Sequence, residues 1–84
     1  MTLEQATKIV VDRNGDFVAA HNFFILQKAR LDKYFSEFLD KNDKEMSEDN
    51  YESPAWKQYR IMLKDYETVQ KFITTSRYYI TKNV

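Results

Sequence analysis

The chain lacks several residues on which common folds and active sites depend. Its 84 residues include no cysteine and only one glycine, one proline and one histidine. The absence of cysteine excludes a disulfide framework, a thiolate nucleophile and a cysteine zinc site. An all-β sandwich or barrel needs glycine and proline at most of its turns, and a phosphate-binding loop needs several glycines. We therefore expect a protein that is not an enzyme and that has no metal site and no cofactor.

An excess of charge of one sign is also missing, since 13 basic residues balance 13 acidic residues. This balance argues against a chain that is basic throughout and binds nucleic acid by its overall charge. The sequence has no run of 18 apolar residues and no secretory signal. We therefore expect a cytoplasmic protein without a membrane span. A domain of this size buries a thin core, which favours self-association or a binding partner.

Apolar residues recur at helical spacing along most of the chain, and polar residues mark three helix starts. Thr2 and Gln5 fit a capping box, and Asp16 fits an N-cap that follows the only glycine. Ser53 followed by Pro54 fits a third start. We predict an all-α protein in a single domain over residues 1–84, either an antiparallel helical hairpin or a small three-helix bundle. The expected parts are helices at about 3–13, 17–40 and 54–80 and an acidic loop at 40–53.

A seven-residue repeat of apolar positions runs through the predicted break at Asn14 and Gly15. A glycine inside a helix costs only about 1 kcal/mol, so one continuous helix from residue 3 to about 40 is the alternative interpretation. The same stripe would also serve a purely structural homo-oligomer, in which copies of the chain pack along the repeat. The repeat consists of Leu3, Val10, Phe17, Phe24, Leu31 and Phe38.

The predicted second helix is apolar on nearly every side in its first half. Phe17, Ala20 and Phe24 share one stripe, whereas Val18 and Ile25 point elsewhere. A helix that is apolar all round is normally covered all round. We expect this helix at the centre of the fold, or against a partner on its spare side.

The last helix has three faces at 100° per residue. A broad apolar face predicts contact with the second helix, and a basic face lies opposite. A narrow apolar flank predicts a further contact, either with the N-terminal helix or with another molecule. The broad face comprises Tyr59, Met62, Leu63, Tyr66, Val69, Ile73 and Ile80, the basic face Lys57, Arg60, Lys64 and Lys71, and the flank Ile61, Phe72 and Tyr79.

Two local patterns resemble functional motifs but lack their decisive residues. The segment from Asp12 begins like an EF-hand loop, but Phe17 stands where that loop requires glycine and Phe23 where it requires glutamate. The single His21 has apolar helical neighbours and no second histidine or cysteine to join it, which predicts a packed histidine. No serine lies at a spacing from a base that indicates a catalytic triad, although long-range pairing of His21 with Ser36, Ser47, Ser53 or Ser76 stays open.

Aromatic residues number thirteen, which is more than a thin core can hide. Tyrosine, tryptophan and arginine are enriched at protein interfaces. We predict a protein-binding surface on the last helix, formed by Trp56, Tyr59, Arg60, Ile61, Lys64, Phe72, Tyr78 and Tyr79.

Basic residues interleaved with aromatic ones are also typical of nucleic-acid binding through phosphates and stacked bases. Residues 53–84 carry six basic and two acidic side chains, whereas residues 40–52 carry six acidic and two basic ones. The alternative hypothesis is therefore an accessory protein that binds nucleic acid through Lys57, Arg60, Lys64 and Lys71.

The leading hypothesis is a small helical module that binds another protein and has no catalytic activity. Frequent Phe, Tyr, Ile, Asn and Lys and scarce Gly and Pro indicate an AT-rich genome, although a helical protein avoids Gly and Pro in any case. This composition favours a phage-encoded inhibitor or adaptor of the anti-CRISPR kind that acts on a host protein. Residues 28–34 are similar to a short stretch in the recombination mediators of large phages, a likeness that assigns no role to any residue.

Overall fold

Three helices make up the fold, as found in a computed structural model that describes residues 1–48 and 50–82. They are α1 (Leu3–Asp12), α2 (Phe17–Met46) and α3 (Pro54–Lys82), and the described residues contain no strand. The predicted all-α fold is therefore confirmed. It consists of a long hairpin formed by α2 and α3, with the short helix α1 packed on it.

Each helix begins at the side chain that the sequence indicates. The Thr2 hydroxyl accepts a hydrogen bond from the Gln5 backbone N–H at 3.2 Å, and the Gln5 side chain accepts one from the Thr2 N–H at 2.8 Å. Asp16 accepts from the N–H three residues further on at 3.0 Å, and Ser53 does the same at 3.3 Å. These bonds satisfy amide groups that the first turn of a helix leaves free.

The helix is interrupted between α1 and α2, so the alternative of one continuous helix is wrong. Arg13 takes the left-handed conformation, with φ 54° and ψ 39°, and the Asn14 N–H donates to the Ile9 carbonyl at 3.1 Å. Gly15, the residue expected to stop the helix, follows two positions later with φ 122°. Two departures from helical geometry within three residues outweigh the unbroken apolar repeat.

The second helix extends to Met46, so the predicted acidic loop at 40–53 is wrong for residues 40–46. This segment has no glycine or proline, and its lysines and acids stand four residues apart, a spacing that stabilises a helix. The Asn42 side chain also donates to the Phe38 carbonyl at 2.9 Å. The connection to α3 therefore runs only from Ser47 to Ser53. Part of the predicted loop, residue 49, and the end of the predicted domain, residues 83–84, lie outside the described residues.

The long helices α2 and α3 run antiparallel, since contacts that advance along α2 retreat along α3. Phe24 stacks on Phe72 with ring centroids 5.2 Å apart, whereas Phe35 contacts Tyr59 and Tyr66. The short helix α1 packs against one end of this hairpin and completes a buried cluster. The cluster contains Ala6 and Val10 of α1, Ala20 and Phe24 of α2, and Val69 and Ile73 of α3.

The hairpin has two flanks, and α1 occupies part of one of them. Helical geometry places Phe72 on one side of the buried line of α3 and Tyr66 on the other. Leu3 and Thr7 of α1 line the same groove as Phe72, so α1 lies on that flank. We call the opposite side the open flank; it carries Phe35 and Leu39 of α2 and Tyr59, Leu63 and Tyr66 of α3.

None of α1, α2 and α3 is both long and apolar enough to cross a bilayer.

Candidate functional site

A groove of about 270 Å³ lies on the open flank, at the half of the hairpin nearer the α2–α3 connection. Leu39 and Leu63 remain 41% and 37% exposed there, which leaves apolar surface in contact with solvent. Asp32 is exposed and supplies the one charged side chain of the lining. The groove is lined by Asp32, Phe35 and Leu39 of α2 and by Tyr59, Leu63 and Tyr66 of α3.

Three aromatic rings form the floor of this groove and hold one another in place. Phe35 contacts Tyr59 at 5.8 Å and Tyr66 at 5.7 Å between ring centroids, with interplanar angles of 80° and 88°. Tyr59 and Tyr66 are seven residues apart in α3, so two turns bring them to the same side of the helix. Edge-to-face pairs of this kind are favourable, and a ring has few rotatable bonds. The floor of the groove is therefore formed by ring contacts that join α2 to α3.

The aromatic contacts continue from the groove to the α2–α3 connection. Trp56 contacts Tyr59 at 5.6 Å and Tyr51 at 5.1 Å between ring centroids, and both pairs are T-shaped. The Arg60 guanidinium donates to the Tyr51 carbonyl at 2.9 Å, which ties the connection to α3. The Trp56 indole N–H is buried and has no acceptor among the described residues.

The eight residues of the predicted binding surface do not form one continuous patch. Trp56 and Tyr78 are 22 positions apart on α3, which corresponds to about 33 Å. Trp56 and Tyr59 are half-buried in the aromatic contacts at the connection end. Four of the eight are exposed, namely Arg60, Ile61, Lys64 and Tyr78.

The remaining two, Phe72 and Tyr79, belong to the margin of the intramolecular core. Phe72 stacks on the buried Phe24, and Tyr79 contacts Phe17 at 5.1 Å between ring centroids. Both rings pack against the cluster to which α1 contributes. Ile61 shares their flank but is 58% exposed, since it lies towards the connection, away from α1.

The four residues of the nucleic-acid hypothesis do share one side of α3. Lys57, Arg60, Lys64 and Lys71 are all exposed, on the side of the helix that faces away from α2. They extend over 14 positions, or about 21 Å.

His21 pairs with a serine distant in sequence, a possibility that the sequence leaves open for four serines, and the partner is the buried Ser76. The His21 Nδ1 and the Ser76 Oγ lie 2.8 Å apart, and the same oxygen donates to the Ile73 carbonyl at 3.0 Å. Ser76 has no exposed surface. The pair therefore links α2 to α3 and offers no accessible hydroxyl.

Sequence reasoning missed the contribution of α2 to the groove. The sequence places Leu63 and Tyr66 on the core face of α3 and Tyr59 both there and in the predicted binding surface. It assigns no role to Asp32 and Leu39. The usable signal was the width of that apolar face, which reaches beyond what one neighbouring helix can cover. The partners on α2 depend on how two distant helices pair, which local spacing does not specify.

Among residues 1–48 and 50–82 there is no group of three or more acidic or histidine side chains placed to hold a metal ion.

Comparisons with protein-family models, with curated proteins and with solved structures each find no match to the chain.

Proposed function

We propose that the protein is a non-catalytic module that binds another protein through the groove on the open flank. The observation that carries this proposal is the pair of exposed leucines beside aromatic rings that pack on one another. Leu39 and Leu63 stay more than a third exposed although they sit next to Phe35 and Tyr66. Such a groove between two helices suits the apolar side of a third helix, a common mode of peptide recognition.

The lining also indicates the chemistry of the partner segment. Apolar side chains would fill the space above Phe35, and a basic side chain would meet the carboxylate of Asp32. Charge complementarity of this kind at the rim mainly governs specificity and the association rate. We therefore propose a partner helix with apolar residues at helical spacing and one lysine or arginine at its edge.

A selection from displayed peptides tests the proposal without knowledge of the natural partner. Peptides that bind the full chain should be enriched in apolar residues at helical spacing with a flanking Lys or Arg. Leu63→Asp should weaken their binding at least tenfold, because it places a charge in the groove. Ile61→Asp is the matched control, since Ile61 is an exposed apolar residue of α3 on the other flank.

Two results would refute this function. One is a selection that yields no enriched peptides. The other is a set of peptides whose affinity falls equally with Leu63→Asp and Ile61→Asp, both variants retaining the helical signal in circular dichroism. Asp32→Asn refines the test, since it should reduce the preference for Lys or Arg and leave the apolar positions unchanged.

In its most specific form, the proposal is an inhibitor or adaptor that is encoded by a phage and occupies a surface of a cytoplasmic host protein. The composition of the chain supports this origin, because its frequent Phe, Tyr, Ile, Asn and Lys are amino acids with AT-rich codons. The role requires only binding, which the groove would provide.

Nucleic-acid binding is the second candidate, favoured by the exposed row of Lys57, Arg60, Lys64 and Lys71. Four phosphate contacts would make the affinity fall with salt at a logarithmic slope of about −3 to −4. A titration of labelled DNA and RNA against salt concentration measures this slope. Lys64→Glu should weaken binding, and a chain that fails to bind at low salt would rule the candidate out.

A further inference from the structure

One side of α2 remains apolar and exposed although the opposite side of the same turns contributes to the buried core. This outer face, as we call it, consists of Val18, Asn22, Ile25, Leu26 and Ala29, which fall within about 100° of one another on the helix. It points away from the buried Ala20 and Phe24. Val18, Ile25 and Leu26 are 54%, 43% and 49% exposed, so α1 and α3 leave the face uncovered.

The first three turns of α2, which carry most of the outer face, also lack charged residues. No charged residue occurs between positions 17 and 27, whereas 31% of the whole chain is charged. A helix face that is permanently in water normally carries charged and polar residues. Depletion of charge at an apolar patch is instead typical of the centre of a protein interface.

The exposed area of the whole chain is large for its mass. A compact monomer of 10.1 kDa exposes about 5,300 Å², whereas this chain exposes 6,269 Å². The radius of gyration is 15.8 Å, compared with about 12 Å for a compact domain of this length. The excess of about 1,000 Å² is spread over the faces of an elongated chain, and it leaves room for an interface of the roughly 800 Å² that each partner buries in a standard dimer.

We propose that the outer face binds a second copy of this chain in an antiparallel, two-fold arrangement. A two-fold contact places the same patch on both sides, so a patch without charge is complementary to itself. The axis would pass between Asn22 and Ile25, with Val18 of one copy near Ala29 of the other. A parallel arrangement would instead set Asp32 against Asp32 and Lys33 against Lys33, which is unfavourable.

This dimer is independent of the groove, which lies further along α2, and of any partner bound there. Sedimentation equilibrium of the full chain from about 1 µM to about 1 mM should show reversible dimers. Ile25→Asp should raise the dissociation constant at least tenfold, because it buries a charge against its own copy. Ile61 is an exposed apolar residue of α3 that lies away from this face. Ile61→Asp should therefore leave the dissociation constant unchanged.

Crosslinking tests the geometry directly, because the chain has no native cysteine that could form a competing disulfide. Asn22→Cys should form an intermolecular disulfide, since this residue lies beside the proposed axis. Ser36→Cys lies on the same side of α2, but its copy would be about 37 Å away, so no disulfide should form. Crosslinking of both variants alike, a monomer at every concentration, or a dimer that Ile25→Asp does not weaken would each overturn the proposal.

Discussion

Phe24 is the large side chain that the fold buries most completely, with no exposed surface. It stacks on Phe72 at an interplanar angle of 14° and meets the edge of Phe23 at 71°. Residues of all three helices surround it in the buried cluster. A thin core with one such ring depends on it more than a large core would, because few other contacts compensate for its loss.

Replacement of Phe24 by alanine should lower the free energy of unfolding by about 3–5 kcal/mol. A domain of this size has a comparable total stability, so Phe24→Ala should be largely unfolded at room temperature. Phe24→Leu keeps most of the volume and should cost about 1 kcal/mol. Chemical denaturation followed by circular dichroism measures each value.

Tyr34→Ala is the matched control for this prediction, since Tyr34 is an aromatic residue of the same helix that is 50% exposed. Its cost should stay below about 1 kcal/mol. Equal losses at Tyr34 and Phe24 would contradict the position of the core.

The turn from Arg13 to Asp16 sets where α1 ends and how the chain continues into α2. Arg13 adopts a left-handed conformation that costs a residue with a side chain about 1–2 kcal/mol. Its guanidinium lies 5.8 Å from the centre of the Tyr79 ring, a contact that helps to hold this turn. Gly15 then adopts a conformation that only glycine takes without strain.

Gly15→Ala should destabilise the protein by about 1–3 kcal/mol, because φ at this position is 122°. The added Cβ would also lie 3.0 Å from Cγ1 of Ile9, which would have to shift. The expected decrease in melting temperature is about 4–8 °C for each kcal/mol. Asn14→Ala, at the preceding position without a positive φ, should melt close to the wild type, and a Gly15→Ala protein as stable as the wild type would contradict this account.

Helix starts were predictable from sequence because their cause is local. Thr2, Asp16 and Ser53 each bond to an amide three residues away, so the signal and the structure share one short segment. The end of α2 was not predictable from polarity, because residues 40–46 are nearly all polar or charged and yet form a helix. The groove was missed because it requires Phe35 to meet Tyr59 and Tyr66 across the hairpin, a pairing of residues more than twenty positions apart.

At the scale of the whole molecule, the two ends of the 49 Å long structure differ in the number of helices that pack together. Three helices enclose the buried cluster at the α1 end, whereas α2 and α3 alone pack at the connection end. Local stability follows the number of buried apolar contacts. The connection end should therefore open more readily than the α1 end.

Hydrogen exchange monitored by mass spectrometry should show this gradient. Amides around Phe24 and Ile73 should exchange only with global unfolding, whereas those around Leu39 and Trp56 should exchange at least tenfold faster. Exchange that is uniform along α2 would show that the hairpin opens as one unit and would contradict the expected difference. A peptide bound in the groove should slow exchange near Leu39 selectively.

The groove and the outer face occupy different lengths of the same helix, and this separation bears on avidity. Val18 and Ile25 lie near the start of α2, whereas Phe35 and Leu39 lie in its second half. A two-fold, antiparallel pair of chains joined through the outer face would carry its two grooves about 35 Å apart, towards its opposite ends. Such a bivalent pair would bind a target that has repeated sites with a higher overall affinity than one groove alone, typically by a factor of about 10²–10⁴.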